Sequence, residues 1–184
     1  MCKFSTEYGG LEMLNSQELI RELRKGYTQE QIAERIGVSR ETFSRYETGR
    51  IEAPTSILKR LAEEFDNPIF SLQVQAEFTG TGTLWLDGPN VDLHRSAVKE
   101  KTLEEMQEAI DQLEKTSLVK PLWKIEHFEK QNIEETLDEL VEAQTAIDHL
   151  VAVICMEAGI NYVDLWQKHY RSLASNGYLA LGGV

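Results

Sequence analysis

The sequence predicts an all-α chain in two parts, a cluster of short helices at the N-terminal end and a helical domain built on one long helix behind it. Three observations carry that expectation. Apolar residues recur at spacings of three and four along most of the chain. Candidate helix starts place Asn15, Thr28 and Asn161 three residues ahead of Glu18, Gln31 and Asp164, and candidate ends fall on Gly26, Gly37, Gly49 and Gly159. A seven-residue apolar repeat also runs from Ile133 to Ala158.

The elements follow in order. A first helix is expected over residues 16–25, with Leu19, Ile20 and Leu23 as its apolar side. Thr28 opens a second helix that turns Ile32, Ala33 and Ile36 inward and ends at the Gly37-Val38 turn. Ser39 caps a third helix running to about residue 48, with Phe43 and Tyr46 toward the core. Pro54-Thr55 opens a fourth, on which Ile57, Leu58, Leu61, Ala62 and Phe65 form one stripe.

Residues 67–78 read two ways. Phe70, Leu72, Val74, Ala76 and Phe78 alternate as in a strand, whereas Asn67-Pro68 makes a good helix start and Ile69, Leu72 and Ala76 fit a helical face. The helix is favoured. Gly80, Gly82, Gly88 and the Asp87–Asn90 turn chemistry mark residues 79–94 as a connector, pinned to one of the domains by Trp85 and Leu86. A further helix spans about 96–115, with a second cap at Thr102-Glu105 should it break there. Pro121 suits the first turn of a long helix reaching residue 158.

Along that helix Ile133, Leu137, Leu140, Gln144, Ile147, Val151, Ile154 and Ala158 form a heptad seam with one polar position. Ala143, Ala146, Leu150 and Val153 add a second stripe, so the helix must be covered on two sides. A last helix from Asn161 packs Val163, Trp166, Tyr170 and Leu173. The expected organisation is a tail over 1–13, a first domain over 14–78, the connector over 79–94 and a second domain over 95–184.

Charge separates the two parts. The 184 residues carry 19 Lys and Arg against 31 Asp and Glu, a formal net charge of −12. Residues 1–67 hold 10 against 12, a net of −2, and residues 68–184 hold 9 against 19, a net of −10. The N-terminus lacks the basic-then-apolar layout of a secretory signal, and no apolar run is long enough to span a membrane. Cys2 and Cys155 are too few for a disulfide framework. The chain reads as soluble and cytoplasmic.

The stretch that carries chemistry is 28–49, TQEQIAERIGVSRETFSRYETG. Two short helices joined by a glycine turn can set one helix across a phosphate backbone while the other enters the major groove, which is about 12 Å wide. The pattern resembles the helix-turn-helix of the Cro/repressor (XRE-like) transcription factors, over residues 14–66. That resemblance implies a lambda-repressor-like fold and double-stranded DNA as the partner. The connection over 24–27 is shorter than that family usually shows.

By the resemblance, Gln29 matches the family's phosphate-contacting glutamine, and Ser39 caps the recognition helix close to a phosphate. Arg40, Glu41, Ser44 and Arg45 become the base-reading candidates, since Arg pairs bidentately with guanine and Glu accepts from the cytosine amino group. Thr42 suits a thymine methyl or a phosphate. Arg50, with Lys59 or Arg60, is expected to flank them on the backbone. Glu47 is expected to pair with an arginine inside the domain, Arg21 being the candidate. Taken singly, each of these residues is also what any well-capped exposed helix would carry.

The second half invites other readings. Glu104, Glu105 and Glu108, with an acidic ridge of Glu134, Glu135, Asp138, Glu139 and Glu142 before Asp148, faintly resemble the all-α nucleotide pyrophosphohydrolases of the MazG type. Against this, the E-x-x-D element of that family reads Thr145-x-x-Asp148 here, and acidic exposed helix faces are common. A third reading is an antitoxin-like module that binds both DNA and a protein. His149 beside Asp148 suits a single bonded histidine, and Cys155 a small core residue. The expectation is therefore a transcriptional repressor without catalytic residues, metal or cofactor. It would bind a near-palindromic operator as a homodimer through its C-terminal helices, with a regulatory protein or small effector as a further partner.

Overall fold

The structure, a computed structural model, describes residues 15–179. Within them the chain forms α1 (Ser16–Leu23), α2 (Gln29–Ile36), α3 (Arg40–Glu47), α4 (Thr55–Phe65), α5 (Pro68–Thr79), α6 (Arg95–Lys115), α7 (His127–Ala158) and α8 (Tyr162–Ser175), with a 3-10 turn at Leu122–Lys124 and no strand. The all-α class expected from the sequence is what forms. The expected tail 1–13 lies outside the described residues. Two compact units result, one of residues up to Gly82 together with Cys155 onward, the other Thr83–Ile154.

In the first unit the caps act as the sequence indicates. Asn15 with Glu18 and Thr28 with Gln31 form reciprocal capping boxes on α1 and α2. The Ser39 side chain accepts from the Thr42 amide to start α3. Asn67 accepts from the Phe70 amide and Pro68 occupies the first turn, so 68–79 is a helix despite its alternating pattern. Gly37 ends α2 at φ 69, a left-handed conformation that glycine adopts without side-chain strain. The core is Leu19, Ile20, Ile32, Ile36, Phe43, Leu58 and Leu61, with Phe70 brought against it from α5. Burying each such side chain stabilises by about 1.5–3 kcal/mol, so all five helices are held by one shared interior.

What brings residues 155–179 into this unit is Asp66. Among the described residues it is the non-glycine residue with positive φ (44°), and it terminates α4 in the left-handed conformation. From there its carboxylate accepts the Tyr162 amide at 3.0 Å and the Val163 amide at 2.9 Å, the first two N–H groups of α8. A helix N-terminus favours negative charge there, and Asn161 caps the same end through the Asp164 amide. The sequence had placed these residues with the second domain.

The second unit is an antiparallel hairpin of α6 and α7. The Thr102 hydroxyl lies 2.8 Å from the Val98 carbonyl and 3.0 Å from the Ala146 carbonyl. The Gln112 amide donates to Asn132, and Thr116 and Thr136 share a hydroxyl contact of 2.6 Å. Because Thr102 spends its hydroxyl on these carbonyls, α6 does not break and recap there. Nor does the long helix start at Pro121: the 3-10 turn follows it, Ile125 is extended (ψ 150), and α7 begins at His127. Trp85 stacks on His149 with centroids 4.8 Å apart, while the Leu86 amide donates to His149 Nε2 and Thr83 donates to Asp148. The connector is thus pinned to α7 by its aromatic residue, as expected.

The two apolar stripes of α7 fare differently. Ala143 and Val153 are buried, but the heptad seam is open, with Leu137 54% and Ile154 43% exposed. On α6, Leu103, Met106, Ile110 and Leu113 form an exposed stripe of the same three-four spacing. On each helix, at about 100° per residue, the open stripe lies roughly a quarter turn, in the N-to-C sense, from the row facing the partner helix. Since the helices run antiparallel, both stripes emerge on the same side of the hairpin.

The Asp66 geometry makes a separable prediction. Asp66→Ala and Asp66→Gly both remove the carboxylate, and each is expected to lower stability by about 1–2 kcal/mol through loss of the cap. Alanine adds roughly 1 kcal/mol for its left-handed conformation, which glycine escapes. Urea titrations of the two variants read the difference directly, and equal midpoints would remove the backbone contribution.

Candidate nucleic-acid interface

The recognition geometry begins at the C-terminal end of α3. Glu47 is 4% exposed, and a buried carboxylate is costly unless its oxygens are satisfied. One oxygen ion-pairs with the Arg24 Nε, and the other accepts from the Gln29 side-chain amide. The Glu47 backbone carbonyl takes the Arg21 Nε at 3.1 Å. The end of α1, the start of α2 and the end of α3 are therefore tied at one residue. The sequence assigned the carboxylate to Arg21; its partner is Arg24, and Arg21 binds the carbonyl instead.

With that end fixed, α3 presents its other side. Phe43, Tyr46 and Glu47 face inward, Glu41 and Arg45 are exposed, and Ser44 is half-buried beside them. Arg40, exposed at the first turn, extends the same side toward the helix start. Thr42 is half-buried and its hydroxyl sits 3.0 Å from that of Ser39. Arg50 is exposed just beyond the helix, its amide donating to the Arg45 carbonyl at 2.9 Å. Gly49 allows this turn at φ 68, where an added Cβ would run into the Gln17 side chain. Among the described residues, no carboxylate forms a salt bridge with Arg40, Arg45 or Arg50. Three guanidinium groups thus remain available along one edge.

The other expected contacts are arranged differently. Gln29 is half-buried and one N–H of its side-chain amide is held by Glu47, so its second N–H and the helix start are what it can offer a phosphate. Arg60 donates to the Ile36 carbonyl at 2.9 Å and so caps the C-terminal end of α2, while Lys59 stands 3.7 Å from Glu63. Arg60 is thus occupied within the domain, whereas the Lys59 side chain stays largely exposed. A feature that pattern reading missed is a shallow recess of about 430 Å³ between α1 and α2, lined by Arg21, Arg24, Lys25, Gly26, Tyr27, Thr28 and Gln31. Its signal is the run Arg24-Lys25-Gly26 in the short connection. Arg24 and Arg21 are engaged by Glu47 and Lys25 by Glu22, so the start of α2 beside them is what the recess offers a phosphate oxygen.

Fold and site together define a helix-turn-helix domain, and residues 20–72 match the helix-turn-helix family model. A protein of Pyrococcus furiosus, whose name provisionally makes it an HTH-type transcriptional regulatory protein, is 40% identical over 65 residues, covering 34% of this chain and 21% of that protein. The match therefore spans about a fifth of the length of that relative. No solved structure matches the chain. Among the described residues no helix is long and apolar enough to cross a membrane.

The Glu47 junction is testable. Glu47→Ala and Arg24→Ala are each expected to cost roughly 1–3 kcal/mol, because each strands a hydrogen-bonding group. The double variant should cost less than the sum, as for residues in one network. Chemical unfolding of the three variants measures the coupling, and strict additivity would dissolve it.

Proposed function

We propose that this protein is a sequence-specific DNA-binding transcriptional regulator that represses by occupying a near-palindromic operator as a dimer. The observation that carries the reading is the unpaired basic edge of α3 within a helix-turn-helix domain. Arg40, Glu41, Ser44 and Arg45 read base edges, with Thr42 at the groove wall. Gln29, Ser39, Arg50 and the basic recess between α1 and α2 hold the phosphate backbone. Phosphate contacts fix register and base contacts choose sequence, so the two groups fail differently when removed.

The dimer rests on the open stripes of the hairpin. Leu103, Met106, Ile110 and Leu113 of α6 and Leu137, Leu140, Ile147 and Ile154 of α7 offer the apolar side of half a four-helix bundle, which a second hairpin completes. Gln144 gives that seam the polar position that fixes register. Two linked domains then read half-sites about 34–36 Å apart. The second unit carries 7 Lys and Arg against 16 Asp and Glu, a net of −9. That charge repels DNA and leaves α3 as the docking surface. An apolar cavity of about 480 Å³, lined by Leu86, Val91, Leu93, Val98, Val141 and Ala146 among others, gives this unit room for a small effector. Such a regulator works in the cytoplasm.

Selection of duplexes from a random pool tests the DNA reading. Arg40→Ala is expected to relax one symmetric position of the selected motif at about 1–3 kcal/mol, whereas Gln29→Ala weakens every site about equally. Uniform loss with Arg40→Ala would remove it from base reading, and absence of any enriched motif would remove the DNA function. For assembly, Ile110→Glu with Leu140→Glu is expected to give a monomer in sedimentation equilibrium while circular dichroism stays helical. A wild-type monomer would overturn the dimer.

A further inference from the structure

We propose that the α6–α7 hairpin holds one divalent metal ion between Glu105, Glu139 and Glu142. One oxygen from each of the three carboxylates lies within 4.8 Å of the others. An ion bound to oxygen at about 2.0–2.6 Å brings its ligands to within about 4–5 Å of one another, so the three already stand at that spacing. The acidic ridge alone would be an exposed face, but its members Glu139 and Glu142 here meet a buried carboxylate of α6. Glu105 is 6% exposed, and its Oε2 is buried without a hydrogen-bond partner, as is Glu139 Oε2.

The local charge balance leaves that opening. Lys101 Nζ reaches Glu105 Oε1 at 2.6 Å and also contacts Glu104 at 3.0 Å, so the nearby cation is shared and touches only one oxygen of Glu105. The other oxygen is buried with no donor of its own. An all-carboxylate set selects a hard ion of the magnesium, manganese or calcium type over softer metals. Glu105 and Glu142 also line the apolar cavity of this unit, whose wall includes Lys101. The ion would join α6 to α7 at the wall of that cavity.

The test uses the full chain and Mn²⁺ alone, with free Mn²⁺ counted by electron paramagnetic resonance and Mg²⁺ added as competitor. The expected result is one saturable site per chain, weakened at least tenfold by Glu105→Gln and by Glu139→Gln. Glu135→Gln, on the exposed ridge, should leave it unchanged. Glu142→Gln alters the exposed ligand and keeps the test open if Glu105→Gln does not fold, which circular dichroism checks. Absence of a saturable site would overturn the proposal and leave a proton shared between Glu105 and Glu142 as the account of the cluster. A site that survives in both Glu139→Gln and Glu142→Gln would equally overturn it.

Discussion

The buried carboxylate of Glu47 is the constraint on which the DNA-facing side depends. Three helices of eight residues each have little stability of their own, since helix nucleation is costly and short helices need tertiary contacts. Apolar packing holds them together but tolerates rotation of one helix against another. A carboxylate with one oxygen on Arg24 and the other on Gln29 does not, because turning α3 would strand a buried charge. The exposed residues Arg40, Glu41 and Arg45 therefore owe their direction to a buried residue in the last turn of the same helix. Gln29 belongs to both networks, which makes its side chain a support for α3 as well as part of the phosphate-facing edge.

Asp66 plays the matching part at the end of α4. A residue in the left-handed conformation costs roughly 1 kcal/mol when it is not glycine, and that cost is offset here by two amides of α8. The same residue ends one helix and starts another that is remote in sequence. Burial reinforces the junction: Tyr162 is 5% exposed, and the Cys155 thiol is pushed up by burial and by the nearby Asp66 charge. A buried thiol held in its neutral form is a core residue in chemical terms, as its apolar surroundings in the sequence suggest.

Local signals made most helix boundaries legible. Asn15, Thr28, Ser39, Asn67 and Asn161 act within three residues of where they stand, so their caps could be read without knowing the fold. The glycine turn at Gly37 is equally local. What escaped was what depends on distant partners. Asn67-Pro68 reads as a helix start, and nothing near it says that the carboxylate of Asp66 meets Tyr162. Arg21 and Arg24 lie on the same side of the chain, and only packing decides which takes the carboxylate of Glu47 and which its carbonyl. The start of α7 moved because Pro121 satisfies a 3-10 turn as well as a first α-turn. In α7 both apolar stripes were visible, but periodicity does not say which one the chain itself covers.

That last point gives the hairpin its two-sided character. The row that pairs α6 with α7 is built of small or polar residues, Ala109, Thr102, Thr136 and Ala143, which let the helices approach and exchange hydrogen bonds. The larger side chains, Leu103, Ile110, Leu137 and Ile147, are left outside it. A chain that stabilised this hairpin by its own burial alone would place them the other way round, since burial per residue grows with apolar area. Glu105 deepens the contrast, being a charged group inside while leucines stand outside. Both departures make sense if the hairpin is completed by something added to it, apolar on one side and cationic on the other.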